Sequence, residues 1–405
     1  MALASAAHLI NDSYQGFIAV LLPYFVARWG ISLTEAGGLV TAYLSVSYFG
    51  QPLFGWLSDR TGGRWLLAGG PLLVSILMGT IGVVPTFGWM LPWVIVAALG
   101  AAAFHPPAAA LVKRAGGGRG SLSTSIFLMS GYLGVAVGPL EILAIVTRLG
   151  LESSYVSVIP GAVVSVLLFR YGAFRNAAPG GGGGGGTLPR FSHLAAALRA
   201  LWRLWAIVVL RNLANGVFAG FLPLLLKERG LSAWAGGTAL SAFLAVGAAG
   251  GVLGGYLADR FDRRAIIVVT LVLATASLAA FLGTRGPVSM AVLVLGGLFL
   301  MVSGPINLVV AQEMFPARAG LLASLMMGFA YGVGSLGIVG VGAAADRIGM
   351  PATLTGVVFV PLIAAWLGLR LPGKGSPTRG GSPTRGAPRA GPLSAAGGPG
   401  PEAGG

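Results

Sequence analysis

Two short stretches of the chain, 200 residues apart, carry nearly the same pattern, Gly55-x-Leu-x-Asp59-Arg60 and Gly255-x-Leu-x-Asp259-Arg260. Each stretch forms a charged turn that begins with glycine and separates two long apolar segments. The same register holds upstream, where Pro23 matches Pro223. Internal symmetry of this kind is typical of secondary transporters, in which substrate binds between two pseudo-equivalent halves.

The composition is that of a membrane protein. Hydrophobic residues make up 55% of the 405 residues, charged residues only 9%, and the mean hydropathy is +0.84. A membrane-spanning helix needs about 20 mostly apolar residues. Twelve segments meet that length, near 3–27, 36–57, 66–86, 90–111, 121–146, 154–171, 203–226, 235–258, 265–283, 288–311, 319–343 and 351–370. We therefore predict an all-α membrane protein with twelve transmembrane helices in two pseudo-symmetric six-helix bundles.

The basic residues predict the topology. The net charge is +15, and most of the 26 lysines and arginines fall in alternate loops. The positive-inside rule then puts both termini in the cytoplasm of a bacterial-type inner (cell) membrane. The first apolar run has no charged leader, so we expect it to remain as a membrane anchor. This distribution explains the charge without a nucleic-acid partner, and we expect the bilayer to surround a monomer.

Changes in composition predict four regions. Residues 1–175 form an N-terminal six-helix bundle, and 203–371 form a C-terminal one. A cytoplasmic linker, 176–202, joins them; it is rich in glycine and ends in a basic segment that we expect to form a short amphipathic helix on the membrane surface. The tail, 372–405, is rich in Gly, Pro and Ser, and we expect it to be disordered.

A polar stripe runs along the first span. His8, Asn11, Asp12 and Gln15 lie at positions i, i+3, i+4 and i+7 of an otherwise apolar helix, so they share one face. Because polar groups are costly inside a membrane, this face is a candidate functional surface. We predict that Asp12 couples transport to protons and that Asn11 and Gln15 contact substrate. The alternative is that the three neutral residues only cap the helix or bond to neighbouring helices.

The repeat places a second stripe on the seventh span, where Arg211, Asn212 and Asn215 correspond to Asn11, Asp12 and Gln15. We predict that these three residues also bind substrate. A carboxylate in one half and a guanidinium in the other, at similar depth, can meet across a central cavity. The alternative is that Arg211 extends to the cytoplasmic interface.

The fourth span contains Phe104-His105-Pro106-Pro107. Proline kinks a helix, and histidine titrates in the physiological range. We predict that His105 takes part in proton coupling; the alternative is a hydrogen-bonded packing residue. Glu313, which ends the tenth span, is a candidate gate residue.

Helix packing and gating also have candidate residues. Gly134-x-x-x-Gly138-Pro139 in the fifth span allows close helix approach. The repeated turns supply the predicted gate, because their carboxylates lie beside arginines and near helix termini. These gate residues are Gly55, Asp59, Arg60, Arg64, Gly255, Asp259, Arg260 and Arg263.

Catalytic and metal sites are not predicted. The chain has no cysteine, which excludes disulfides and thiolate ligands. The spans contain no paired carboxylates, no His-Glu-x-x-His and no Ser-His set of the kind that catalysis requires. We expect no enzyme activity, no metal and no cofactor.

The repeated turns resemble motif A of the major facilitator superfamily, and the twelve spans in two halves extend that resemblance over residues 1 to about 370. The run 134–139 is similar to the antiporter motif C, although Ser125 and Ile142 stand where that motif has glycine. This resemblance implies alternating access, with the two halves rocking about a central site.

A narrower resemblance is to the fosmidomycin-resistance branch of the superfamily. It rests on His8-Leu-Ile-Asn-Asp12, Phe104-His-Pro106, Gln312-Glu313 and the glycines from 328 to 337. The chain departs from that branch at Pro107 and Ala110, where the branch usually has glutamate and arginine. The resemblance implies proton-coupled efflux of a drug-like molecule or metabolite by antiport.

Two other functions use the same features. A proton symporter that imports a small organic anion has the same fold and the same polar residues, and only the partial antiporter motif argues against it. A membrane sensor that does not transport is the second alternative, although it leaves the two polar stripes without a purpose.

Overall fold

A computed structural model of the chain describes residues 1–115, 120–171, 191–314, 322 and 324–371, and these residues are helical or in short turns. The predicted tail, most of the predicted linker, and residues 116–119, 315–321 and 323 lie outside the described residues.

The first half contains six helices. α1 comprises Ala2–Ser13, a 3₁₀ turn at Tyr14–Gly16 and Phe17–Trp29; α2 is Leu33–Thr61; α3 is Arg64–Gly79 with a 3₁₀ extension, Thr80–Val83; α4 is Phe87–Ala115; α5 is Gly120–Leu149; and α6 comprises Leu151–Ser157, a 3₁₀ segment, and Val158–Tyr171.

The second half repeats this order. α7 is Phe191–Glu228; α8 is Ala233–Arg260; α9 is Arg263–Gly283; α10 is Gly286–Met314; α11 comprises a π-helical turn, Ser324–Phe329, and Ala330–Ile348; and α12 comprises Met350–Val357 and Val360–Gly368.

Each of the twelve predicted spans overlaps one of these helices. Within the described ranges, ten segments are long and apolar enough to cross a membrane, and they lie on α3 to α12. α1 and α2 also have the necessary length, but their composition is more polar: α1 carries Asn11 and Asp12, and α2 carries Thr41, Ser45 and Ser47. The two helices with the least apolar character therefore carry polar groups into the protein interior.

The backbone reproduces the sequence repeat. Gly30 and Gly230 both end the preceding helix with positive φ, 64° and 83°. Ser32 and Ser232 then cap the next helix, each accepting a hydrogen bond from the backbone N–H three residues later. The junctions between the first two helices of each half therefore have the same design.

α7 is longer than predicted. It runs without a break from Phe191 to Glu228. The segment predicted to be a separate amphipathic helix at the end of the 176–202 linker is thus the first part of the seventh helix, because helical propensity continues through it with no glycine or proline to stop it.

The two halves meet mainly along α2 and α11. Asp346 on α11 caps the first turn of α2, accepting hydrogen bonds from the backbone N–H groups of Leu33 (2.7 Å) and Thr34 (2.8 Å). Further along, Thr41 donates to the carbonyl of Ser335 and accepts from the N–H of Val339. We call the end where α1 meets α2 the outer end, following the predicted topology. The halves are joined by hydrogen bonds at this end.

Candidate functional site

Asp12 lies in a cluster with two histidines. Its Oδ2 is 3.1 Å from Nε2 of His8, one turn earlier on α1, and its Oδ1 is 3.6 Å from Nε2 of His105 on α4. Asn11 donates a hydrogen bond of 3.0 Å to Oδ1. The side chain of Asp12 is 15% exposed and that of His8 only 6%. The sequence placed these groups on two separate spans, and the fold brings them together.

The protonation of His8 follows from its contacts. Its Nδ1 is 2.7 Å from the carbonyl oxygen of Phe127 on α5, and a carbonyl can only accept, so Nδ1 must carry a hydrogen. In a neutral His8, Nε2 then carries no hydrogen and can only accept a hydrogen bond. The contact of 3.1 Å between this nitrogen and Asp12 is a hydrogen bond only when one proton is held between them, on either partner. The pair is therefore built to hold one exchangeable proton.

The local fold makes room for this pair. The imidazole of His8 stacks on Phe127 with ring centroids 4.0 Å apart. Gly131, one turn further along α5, faces the pair, and a Cβ atom there would lie 2.5 Å from Nε2 of His8 and 2.8 Å from Oδ2 of Asp12. Any side chain at Gly131 would displace the two groups.

The glycines predicted to serve helix packing lie along the same contact. A Cβ at Gly134 would overlap the carbonyl of Leu9, and one at Gly138 would overlap the carbonyl of Ser13. Pro139 packs against Gly16, which ends the 3₁₀ turn of α1. α5 therefore lies close against α1 on both sides of the turn, and a short 3₁₀ stretch inside a helix often marks a hinge.

Arg211, which the repeat aligns with Asn11, is the charged group on the polar stripe of the second half, and it is 1% exposed. Its Nη2 donates to the hydroxyl of Tyr331 (2.8 Å), and its Nη1 lies 3.2 Å from the sulfur of Met301. In the described part of the chain no carboxylate lies within 4.0 Å of the guanidinium, and nothing accepts from its Nε. Among the described residues, the contacts of this buried positive charge are therefore with neutral groups.

The two charges predicted to meet across the cavity occupy separate sites in this conformation. Asp12 is bound by histidines and Arg211 by Tyr331, each within its own half. The alternative in which Arg211 extends to the cytoplasmic interface does not describe the structure either, because the side chain is buried between α7, α10 and α11.

A narrow cavity lies between the two halves. It lies between α1, α2 and α5 of the first half and α7 and α8 of the second, and its lining includes Gln15, Tyr43, Tyr48, Asn212 and Asn215. The cavity has a volume of about 70 Å³. At roughly 10–15 Å³ for each water, it holds only a few waters. Asn212 donates to the carbonyl of Tyr331 (2.9 Å), which ties it to the Arg211 site.

The predicted gate residues lie at the opposite end from Asp346. Asp59 and Asp259 are exposed, and the arginines that follow them stack on aromatic rings in the same way in both halves. Arg60 lies 3.9 Å from the ring centroid of Trp56, and Arg260 lies 3.7 Å from that of Tyr256. Gly55 and Gly255 lie one turn before these aspartates. The repeated stretches predicted as turns are thus the helical ends of α2 and α8, and the chain turns only after them.

Three further gate candidates make contacts within their own half. Arg64 donates to the carbonyl of Phe169 on α6 (3.0 Å). Arg263 pairs with Glu313, which joins the start of α9 to the end of α10. Both contacts hold helices of one bundle together at this end.

Several residues of the site were not identified from the sequence. Phe127, Met301 and Tyr331 contact the charged groups from helices about 90 to 120 residues away. Asn307 on α10 is fully buried, and no described group pairs with either of its side-chain polar atoms. The repeat offered one signal for Tyr331, which stands at the position that corresponds to Gly131. In the first half this position has no side chain and faces the His8–Asp12 pair, and in the second half it carries the tyrosine ring.

Pro107 and Ala110 contribute no polar side-chain atom. Pro107 is buried, and its ring packs 3.0 Å from where a Cβ of Gly63 would lie, at the turn between α2 and α3. The His105 segment of α4 thus presents the histidine as its only titratable group to the site.

Comparison with known proteins agrees with this architecture. The family model for the Major Facilitator Superfamily matches residues 3–339 and 204–394. The uncharacterized MFS-type transporter YfnC of Bacillus subtilis (strain 168) is 29% identical over 367 residues, which cover 88% of each chain. The fosmidomycin resistance protein of Escherichia coli (strain K12) is 26% identical over 377 residues, 89% of each chain.

Solved structures share the fold. A bacterial homolog of the human lysosomal transporter Spinster, in an inward-facing and unoccupied conformation, superposes with a TM-score of 0.72 at 16% identity, covering 91% of this chain and 95% of the other. A mutant of the nucleoside transporter NupG superposes with a TM-score of 0.73 at 12% identity, covering 91% and 96%. At these identities the likeness concerns the fold.

Proposed function

The chain belongs to the major facilitator superfamily and is a multi-pass membrane transporter, and we propose that it exports a small organic molecule in exchange for protons. The proton site is the cluster of Asp12, His8 and His105. The substrate site is the central cavity next to Arg211. The family and its solved transporters indicate a transporter rather than an enzyme.

The observation that carries the proposal is the contact between His8 and Asp12. The carbonyl of Phe127 fixes the hydrogen on Nδ1 of His8, so the contact on the other side of the ring requires one more proton. When that proton leaves, an ionised carboxylate faces a nitrogen lone pair, and the pair loses its hydrogen bond. Protonation thus changes both the charge and the local packing between α1 and α5, which a proton-driven carrier requires.

Arg211 supports a substrate with an acidic or strongly electronegative group. A guanidinium stays charged in a protein, and a buried charge without a counter-charge is costly. An anionic group that enters the cavity and reaches Arg211 offsets this cost. Asn212 and Asn215, on the same face of α7, and Gln15 opposite them supply donors and acceptors for the rest of the molecule.

The small cavity implies that the halves must move for substrate to bind. Drug-sized ligands occupy pockets of about 300–1,000 Å³, well above what this conformation offers. Tyr331, which bonds to Arg211, also packs edge-on against Tyr48 of the first half, with centroids 5.4 Å apart. A substrate that draws Arg211 away from Tyr331 therefore disturbs a contact between the halves.

Exchange requires that proton and substrate favour different arrangements of the two halves. We propose that the protonated pair favours one tilt and the occupied cavity the other. The aspartates of the two repeated segments, Asp59 and Asp259, lie at the ends of α2 and α8 and belong to the gate at the predicted cytoplasmic end, where both are exposed and can bind the opposite half. Asp346 belongs to the gate at the outer end.

Export is supported by the relative in Escherichia coli, whose name describes resistance to fosmidomycin. The alternative, uptake of a small organic anion together with a proton, is favoured by one electrostatic feature. A proton on the Asp12 pair and an anion on Arg211 attract each other across the cavity, which on its own would help them to bind together.

A growth screen tests export. The gene is expressed in an efflux-deficient host, and growth is measured against a panel of toxic compounds that includes fosmidomycin and other compounds with acidic groups, beside matched neutral analogues. We expect protection against some acidic compounds, lost in Asp12→Asn at equal expression. Increased sensitivity to the acidic compounds would indicate uptake instead, and would overturn export.

A further inference from the structure

The cluster of His8, Asp12 and His105 has the composition of a metal site. Their ligand atoms, one for each residue, all lie within 4.8 Å of one another. Two imidazoles and one carboxylate are donors that suit a divalent transition metal such as Zn²⁺, and with three protein ligands a fourth position is left for water.

Two of the distances approach those of tetrahedral coordination. With bonds of about 2.0–2.1 Å, neighbouring ligand atoms on a tetrahedral zinc are about 3.3 Å apart. The distances from the two carboxylate oxygens of Asp12 to His8 and His105 are 3.1 and 3.6 Å. The ring centroids of the two histidines are 5.2 Å apart and the rings are nearly perpendicular, at 80°. The three ligand atoms lie within 4.8 Å of one another, so they must draw closer together when a metal ion binds.

The surroundings of the ligands provide a second, independent observation. Histidines that bind a metal commonly donate their other ring N–H to a carbonyl or carboxylate, which orients the ring and fixes the tautomer. His8 makes such a bond, from Nδ1 to the carbonyl of Phe127, and directs Nε2 at Asp12. Asn11 supports the carboxylate in the same way, by donating to its Oδ1.

The cluster is not sealed. The side chain of His105 is 22% exposed and that of Asp12 15% exposed, so the protein does not fully enclose these two ligands. The chain has no cysteine and only three histidines, the third being His193 in the sequence. Few other positions therefore compete for such an ion.

We propose that His8, Asp12 and His105 bind one divalent transition-metal ion, with Zn²⁺ as the representative, at the atoms that hold the exchangeable proton. Zinc requires the lone pair of Nε2 on each histidine and the ionised carboxylate, so it cannot share the pair with a proton. The proposed function does not depend on this inference, because binding is measured without transport.

The test uses purified full-length protein with the affinity tag removed and His193 replaced by alanine. Zn²⁺ is titrated in competition with a chromophoric zinc indicator, with Mg²⁺ as the negative probe. We expect one zinc per chain, a loss of at least tenfold in affinity in Asp12→Asn and in His105→Gln, and unchanged affinity in Glu313→Gln, a matched acidic change outside the cluster. Circular dichroism and gel filtration verify that each variant is folded.

Cobalt gives a spectroscopic check of the ligands. Co²⁺ bound in place of zinc should show the visible absorption of a tetrahedral ion, and this band should disappear in His8→Gln. Absence of stoichiometric zinc binding in folded protein would overturn the proposal, as would zinc affinity that is the same in Asp12→Asn and in the parent. If the parent protein binds no zinc but its transport still responds to a pH gradient, the zinc site is excluded and the proposed function stands.

Discussion

Nε2 of His8 lies 3.1 Å from Oδ2 of Asp12, one turn apart on the same helix, with both side chains largely withdrawn from solvent. The other nitrogen of His8 donates to a backbone carbonyl, so this short contact is a hydrogen bond only when it holds one further proton. A single proton thus determines whether the pair is neutral overall or carries one negative charge. In a membrane interior that difference is costly enough to bias the arrangement of two helical bundles.

Gly131→Ala should impair the proton site while leaving the protein inserted. The added methyl would lie 2.8 Å from Oδ2 of Asp12 and closer still to His8, so the pair must shift. Overpacking of this kind costs about 1–3 kcal/mol. We expect a severalfold loss of proton-driven transport in membrane vesicles at normal expression.

The control for this change is Gly340→Ala on α11, where a Cβ atom meets no neighbour within 4 Å. It should transport at the rate of the parent. Equal activity of both variants would show that the contact between α5 and the pair is not needed.

The sequence was sufficient for the helices, because spans, glycine caps and the repeat are local patterns. Gly30 with Ser32 in the first half, and Gly230 with Ser232 in the second, form the same junction between two helices. The spacing of the polar stripe also predicted that His8 and Asp12 share a face. The pattern identified which helix faces carry the polar groups, but it did not predict which residues of other helices contact them.

The partners depend on packing between distant segments. Nothing in the first span specifies that the carbonyl of Phe127, 119 residues away, fixes the tautomer of His8. Likewise, Arg211 is bound by Tyr331, 120 residues away, rather than by Asp12. The repeat predicted equal depth for the two charges, but it could not predict that each is enclosed within its own half.

Arg211→Gln should weaken substrate binding at least tenfold, about 1.4 kcal/mol, because the cavity loses its buried positive charge. Arg203→Gln is the matched control, since Arg203 is exposed on the same helix and contacts the carbonyl of Arg370. Affinity for the compound found in the growth screen is measured by equilibrium binding to purified protein. If both variants bind like the parent, the positive charge of Arg211 has a structural role alone.

Asp346→Ala should open the outer end more often. The carboxylate accepts from two backbone N–H groups and the hydroxyl at the start of α2, and it is exposed, so its loss costs roughly 1 kcal/mol, as for a helix cap. The chain has no native cysteine, so a single cysteine at Val40, which lines the cavity, reports on access. We expect labelling from the outside by a membrane-impermeant maleimide to increase severalfold.

Arg347→Gln is the control for charge at that end, because it alters the neighbouring exposed residue and leaves the cap in place. Labelling at the level of the parent is expected. An equal increase in both variants would mean that charge near the membrane surface, rather than the cap on α2, keeps the outer end closed.

The most direct test of the account is the number of protons that substrate binding releases. Purified protein in weakly buffered solution is mixed with the compound from the growth screen, and the pH change is recorded for the parent and for Asp12→Asn, which keeps the shape of the side chain. We predict that the parent releases protons on binding, and that Asp12→Asn binds the compound and releases none. Proton uptake by the parent would contradict exchange, and undiminished release by Asp12→Asn would remove Asp12 from the mechanism.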